Sequence, residues 1–181
     1  MYKQGKTIYL RQLMKVDNTS IYKAVQDEEI RYMTGTRNNF TMEQLNEHVD
    51  RTSTDNSRYD FAICLNETDE IIGDLTILDV DENNKKAAFR IALHDKKYFN
   101  KGYGTEAVNL ALSFTFEELK LHRLQLEVYS HNKRAIKAYE KAGFKVEGIL
   151  RDSLLYNESY SDEIVMGILA EEYFANYKGR E

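Results

Sequence analysis

The spacing of apolar and polar residues changes period several times along the chain, and each change marks an element. Residues 7–13 read as a short strand. Behind Asp17, placed to cap a helix, Ile21, Ala24 and Val25 recur at helical spacing, and Ile30 extends the same face. Thr41 and Gln44 have the spacing of a capping box, and Leu45, Val49 and Thr52 then follow helical periodicity. Residues 59–65 and 71–78 read as strands joined across the polar segment 66–70, and a third strand, 87–93, follows the polar loop 81–86. Three short adjacent strands predict an antiparallel meander.

The second half has a different rhythm. After the polar loop 95–101 come two glycines and then a helix over 106–119, with Ala107, Leu110, Ala111 and Phe114 at helical spacing. Leu124, Leu126 and Val128 alternate as a strand. Asn132 is positioned to cap a helix running to about Ala142, with Ala135, Ile136 and Tyr139 inward and Gly143 as the residue just past its end. Strands at 145–150 and 163–169 close a mixed α/β order.

Composition narrows the classes. The length of 181 residues fits one domain spanning 1–181, and no Pro/Gly/Ser-rich linker or repeat divides it. The longest apolar runs are far too short to span a bilayer, so no membrane partner is expected. The first residues carry lysines but lead into no apolar stretch, and a single cysteine excludes an internal disulfide; both point to the cytoplasm. A net charge of −5 argues against nucleic acid and suits an amine-bearing small partner. The acidic set Asp27, Glu28, Glu29, Glu43 and Glu47 can either gather a polyamine or form a solvated helix face. His48, His94, His122 and His131 lack metal-ligand spacing, so no metal is expected. Cys64, between Ile63 and Leu65, suits a buried small hydrophobe.

The candidate chemistry begins at Lys101-Gly102-Tyr103-Gly104-Thr105. A turn that enters a helix can aim several backbone N–H groups at one anion only where no Cβ crowds the approach, and the helix dipole adds attraction. Lys101 adds a side-chain charge. Gly102-x-Gly104-x-x-Ala107 also satisfies the dinucleotide-binding pattern, with Glu127 about twenty residues on where a ribose-binding acid would stand. Against that alternative, no strand runs directly into the first glycine, and the motif sits behind a meander with little chain left for a doubly wound sheet.

A second block, Asn132-Lys133-Arg134-Ala135-Ile136-Lys137-Ala138-Tyr139-Glu140-Lys141-Ala142-Gly143-Phe144, resembles the N-x-x-A-x-x-x-Y-x-x-x-G-F signature of GCN5-related N-acetyltransferases. The glycine loop is similar to the acetyl-CoA motif of that family's ribosomal-protein and spermidine acetyltransferase branches. Similar flanks extend the likeness over nearly the whole chain. The resemblance implies a bent, mostly antiparallel sheet of about seven strands with about four helices, splayed between the fourth and fifth predicted strands (87–93 and the strand of Leu124, Leu126 and Val128). In that gap Ile91, Ala92 and Leu93 would bond the pantetheine arm of acetyl-CoA. Phe99, Asn100, Lys101, Gly102, Tyr103, Gly104 and Thr105 would wrap its pyrophosphate, Asn132 would sit near its thiol, and Tyr139 would be the general acid. Glu28, Glu29 and His94 are the candidates on the acceptor side, with a solvated strand-end residue as the other reading of His94.

Such a site would move acetyl from acetyl-CoA directly to a primary amine, with preorganised N–H groups stabilising the developing oxyanion and a hydroxyl serving the departing thiolate. The implied acceptor is a polyamine such as spermidine, with a protein N-terminal amine as the alternative, and a homo-oligomer, dimer favoured, is expected. The chain departs from the family at two positions. Phe99 stands where Arg or Gln is usual, and Ala88 stands where several relatives carry a glutamate, which leaves the general base unidentified and keeps open a non-catalytic acyl-CoA-binding regulator.

Overall fold

The structure, a computed structural model, describes residues 3–178. Its strands are β1 (Lys3–Gln4), β2 (Ile8–Gln12), β3 (Tyr59–Leu65), β4 (Ile71–Asp81), β5 (Lys86–Leu93), β6 (Arg123–Tyr129), β7 (Lys145–Tyr156) and β8 (Ser159–Leu169). The helices are α1 (Asn18–Ala24), α2 (Glu28–Thr34), α3 (Met42–Thr52), α4 (Tyr103–Ser113), α5 (Lys133–Ala142) and α6 (Ala170–Lys178). The strands form one mixed sheet in the order β1-β2-β3-β4-β5-β6-β8-β7. The mixed α/β class and the meander follow the sequence pattern, with eight strands and six helices among the described residues where about seven and about four were expected.

Every neighbouring pair in the sheet is antiparallel except β5 with β6, and there the pairing is short: Lys86 with Arg123, Ala87 with Leu124 and Ala88 with Gln125. Beyond Ala88 the two strands part, while β6 keeps its full register with β8 from Arg123 to Tyr129. The sheet is thus continuous at one end and open at the other. Across it, Ile63, Leu75, Leu124 and Ile168 are fully buried with Leu112, Phe114 and Phe116. Tyr59 and Phe61 both meet the Phe114 ring edge-on, at 5.1 Å between centroids.

Several boundaries differ from the expectation, each for a visible reason. The single helix predicted from Asp17 to Ile30 is two. The buried Asp17 carboxylate takes both guanidinium nitrogens of Arg11 at 2.7 Å and the Met14 N–H at 2.8 Å, so it does not cap α1. Asp27 instead accepts the N–H groups of Glu29 and Ile30 and starts α2. The helix predicted over 106–119 begins at Tyr103 and widens after Ser113 into a π turn, in which Leu119 N–H bonds the Phe114 carbonyl. The last hairpin is longer than predicted at its turn end, because Asn157 and Glu158, at φ 46° and 62°, turn the chain only there. Strand β7 was under-read because nearly all of its side chains are exposed, which leaves no alternation to find. The Thr41–Gln44 capping box forms in full, and Gly143, at φ 106°, ends α5.

Candidate active site

The opening between β5 and β6 is the centre of the site. His94 N–H bonds the Ile72 carbonyl on β4. Because backbone groups alternate sides along a strand, the N–H and C=O groups of Ile91 and Leu93 face the open side instead. A cavity of about 120 Å³ lies there, lined among others by Ile91, Ala92, Leu93, Phe99, Gly104, Asn132 and Tyr139.

The glycine loop reaches this groove on a firm anchor. Asp95 caps a short 3-10 turn by accepting the Lys97 N–H, and the buried Tyr98 donates its hydroxyl to Glu70 at 2.6 Å. Asn100 and Gly102 then take positive φ, 60° and 87°. Gly102 is the N-cap of α4 and has no side chain to occupy the first helical N–H groups, those of Tyr103, Gly104 and Thr105. A Cβ at Gly102 would meet nothing within 4 Å, and one at Gly104 would meet only Leu93 Cδ1 at 3.9 Å. Gly104 is therefore bare for no reason internal to the protein, as expected of a cradle that an outside anion approaches. Lys101 is exposed at the same turn. The Phe99 ring stacks under the Arg134 guanidinium, 3.6 Å from its centroid, which brings a second cation to the groove where the sequence had offered only Lys101. Arg134 was the fixed side of this contact to find: it lies inside the Asn132–Phe144 block.

Asn132 caps α5 by accepting the Ala135 N–H, and its amide donates to the Met33 carbonyl at 3.2 Å, tying α5 to the end of α2. Tyr139 is buried, with the rings of Phe89 and Phe144 edge-on at 6.4 Å and 5.9 Å. Its hydroxyl has no hydrogen-bond partner among the described residues, and burial pushes its pKa well up.

On the other side of Ile91, Ala92, Asn132 and Tyr139 opens a larger cavity of about 620 Å³, walled by α1, α2, α3 and the sheet. These four residues line both spaces, so the two meet beside the Tyr139 ring. His94 lines the larger one, but it is buried and not a solvated strand end: Asp74 meets one ring nitrogen at 2.7 Å and Ser20 the other at 2.8 Å. Glu28 and Glu29 do not line it. Glu29 and Asp27 pair with Lys96 at 3.4 Å and 3.3 Å on the outer surface. Of the acidic set, Glu47 alone reaches the cavity.

One acidic residue there was weighed in the sequence only for another fold. Glu127 on β6 lies beside Glu163 on β8, and the closeness of the two carboxyl groups, helped by partial desolvation, raises its pKa. Ser153 donates to Glu163 Oε2 at 2.6 Å, keeping that carboxylate in place. Among the described residues no group of three metal-ligating side chains occurs, and no helix is long and apolar enough to cross a membrane.

Residues 7–145 match the acetyltransferase (GNAT) domain family. The chain belongs to the GNAT acetyltransferases. A probable N-acetyltransferase, YjcK of Bacillus subtilis, is 32% identical over 92% of this chain and 96% of its own length. Spermidine N(1)-acetyltransferase of Escherichia coli is 34% identical over 60% of this chain and 58% of that enzyme. The crystal structure of spermidine N-acetyltransferase from Vibrio cholerae in complex with CoA and spermine superposes with a TM-score of 0.86 at 25% identity, covering 94% of this chain and 99% of that one.

As a GNAT enzyme the protein is an acetyl-CoA-dependent acyltransferase. The residues present suit that donor. The unpaired edge at Ile91 and Leu93 offers strand-like bonding to an amide-bearing arm, and the bare backbone at Gly102 and Gly104 suits a pyrophosphate.

Proposed function

We propose that this protein acetylates a primary amine in a direct ternary complex, with the donor in the β5–β6 groove and the amine in the larger cavity. The observation that carries it is the junction of the two spaces at Tyr139, whose unpartnered hydroxyl is the one polar group of that ring available to a reacting sulfur. Bound acetyl-CoA supplies the activated acetyl group. Ile91 and Leu93 N–H groups orient the donor and stabilise negative charge on the carbonyl oxygen. The loop from Phe99 to Thr105, with Lys101 and Arg134, holds the pyrophosphate. Tyr139 stays protonated throughout the working pH range, so it donates a hydrogen bond to the departing sulfur. Its raised pKa makes complete proton transfer to a thiolate, with an ordinary pKa of about 8.5, unfavourable. That weakens the near-match of pKa values on which the sequence argument for full acid catalysis rested.

Glu127 is our candidate for the base that the position of Ala88 does not supply. An amine arrives mostly as ammonium and must lose a proton, and a carboxylate of raised pKa is better matched to take it. The sign follows: the active form is the carboxylate, so activity rises with pH through the Glu127 pKa. Glu127→Gln is expected to lower kcat/KM roughly 10-fold to 100-fold, since Glu163 remains, and to change the acidic limb of the pH–rate profile. An unaltered limb would remove Glu127 from this role.

For the acceptor, a polyamine such as spermidine is supported by the relatives that act on it and by Asp74, Glu127 and Glu47 along the cavity. A protein N-terminal amine is the second acceptor, favoured by the arginines in the same wall. We further propose one domain over the whole chain, a cytoplasmic location, and a homo-oligomer formed through the exposed β7 edge, where Val146, Ile149, Leu150 and Leu155 are apolar and open. The deciding experiment is an acetyl-CoA turnover screen across polyamines, amino acids, aminoglycosides and peptides. Acetyl-CoA binding without acetylation of any amine would favour the non-catalytic binder.

A further inference from the structure

The lining of the acceptor cavity also carries basic side chains. His48 and Arg51 on α3 and Arg90 on β5 all line it. Arg51 donates from Nη2 to His48 Nδ1 at 3.2 Å, and among the described residues neither Arg51 nor Arg90 has an acidic partner within ion-pair distance. The other two arginines of the region are committed. Arg58 is held by both oxygens of Asp60, at 2.8 Å and 2.6 Å. Arg31 spends its guanidinium on the Thr36 and Arg37 carbonyls and on Asn39 Oδ1.

Asp60 offsets part of the arginine charge around His48, and it is further occupied by the Thr76 hydroxyl at 2.8 Å. Arg51 and Arg90, both exposed to solvent within this lining, are left without an ion-pair partner among the described residues. Arginine only donates, so the Arg51 contact requires His48 Nδ1 to accept, which puts the proton of the neutral ring on Nε2. Burial and the three arginine charges lower the His48 pKa and favour that neutral form. Arg90 directly precedes Ile91, whose backbone edges the donor groove, so this cationic wall begins one residue from the transfer point.

We propose that His48, Arg51 and Arg90 form a carboxylate subsite, so that the amine acetylated here carries a carboxylate at its far end and belongs to the amino acid or peptide class. This rests on the acetyltransferase function proposed above and selects between its two acceptors. A polyamine would bring further ammonium groups toward two unneutralised guanidinium groups, whereas a carboxylate fits their paired donors. Glu127 and Asp74 receive the ammonium end, and the cationic wall receives the other. A free amino acid and a peptide that begins with, or closely follows its amine with, an acidic side chain present the same chemistry.

Succinate tests the subsite apart from turnover. Titrated into the full-length protein saturated with CoA, it is expected to bind saturably and to compete with the acceptor. The double variant Arg51→Gln/Arg90→Gln should weaken succinate roughly 10-fold to 100-fold while CoA affinity holds, and Arg90→Lys should retain part of it. In turnover, amino acids and acid-rich peptides should exceed spermidine, the two sets separating the free from the peptide-borne carboxylate, and the double variant should lose that preference through KM. Failure of succinate to bind, or a wild type that prefers spermidine, overturns the subsite. Succinate binding with no amine acetylated would uphold the subsite and count instead against the acetyltransferase function.

Discussion

Replacing Tyr139 by Phe is expected to lower kcat roughly 100-fold to 1,000-fold, the loss of one hydrogen-bond donor to developing charge, while the KM for acetyl-CoA stays within about 3-fold. The substitution removes only the hydroxyl. The ring keeps its edge contacts with Phe89 and Phe144, and no hydrogen bond among the described residues is lost, so stability should be held or slightly raised. A residue with a purely packing role would leave kcat unchanged. Because burial keeps the phenol protonated, its loss should depress the whole pH–rate profile without moving an alkaline limb. Steady-state kinetics over the pH range, with thermal melting as the folding control, decides the matter. An unaffected kcat would return Tyr139 to the core aromatics.

Gly104→Val should weaken acetyl-CoA at least about 100-fold, the equivalent of losing a few charge-assisted hydrogen bonds to the pyrophosphate. Within the protein the new Cβ has room, since Leu93 Cδ1 at 3.9 Å is its one neighbour within reach. Valine costs a helix no more than the glycine it replaces, which itself stands about 1 kcal/mol below alanine. A large loss of affinity with little change in melting temperature can thus come only from a group outside the chain meeting the side chain. Equal losses of affinity and stability would instead mean that the loop had been distorted.

The sequence and the structure agree best where a residue type has one physical use. The Thr41–Gln44 capping box, Gly143 beyond α5, and the alternation of Leu124, Leu126 and Val128 each specified a local geometry that the chain adopts. Asp17 and Asp27 were harder, because an aspartate preceding a helical pattern caps equally well at either place. The choice was made by Arg11, which lies in β2 and is brought to Asp17 only by folding.

The site divides in the same way. The groove proposed for the donor lies where the glycines and the Asn132–Phe144 block pointed, since backbone shape leaves a mark in sequence. His94, a solvated residue by sequence, is buried because Ser20 and Asp74 are 74 and 20 residues away along the chain. Glu127 had been considered only for a ribose, and its pairing with Glu163 depends on the β6–β8 register. Nothing in local spacing could reveal that Arg51 and Arg90 face one recess.

The edge left unpaired beyond Ala88 also bears on how this enzyme can change over generations. The donor grip proposed here is made of main-chain groups at Ile91 and Leu93 and around Gly102, which survive almost any exchange of side chains. The proposed acceptor wall is made of side chains on α3, β5 and β6, each replaceable by a single codon change. On this proposal inheritance can hold the currency of acetyl transfer constant while the amine drifts.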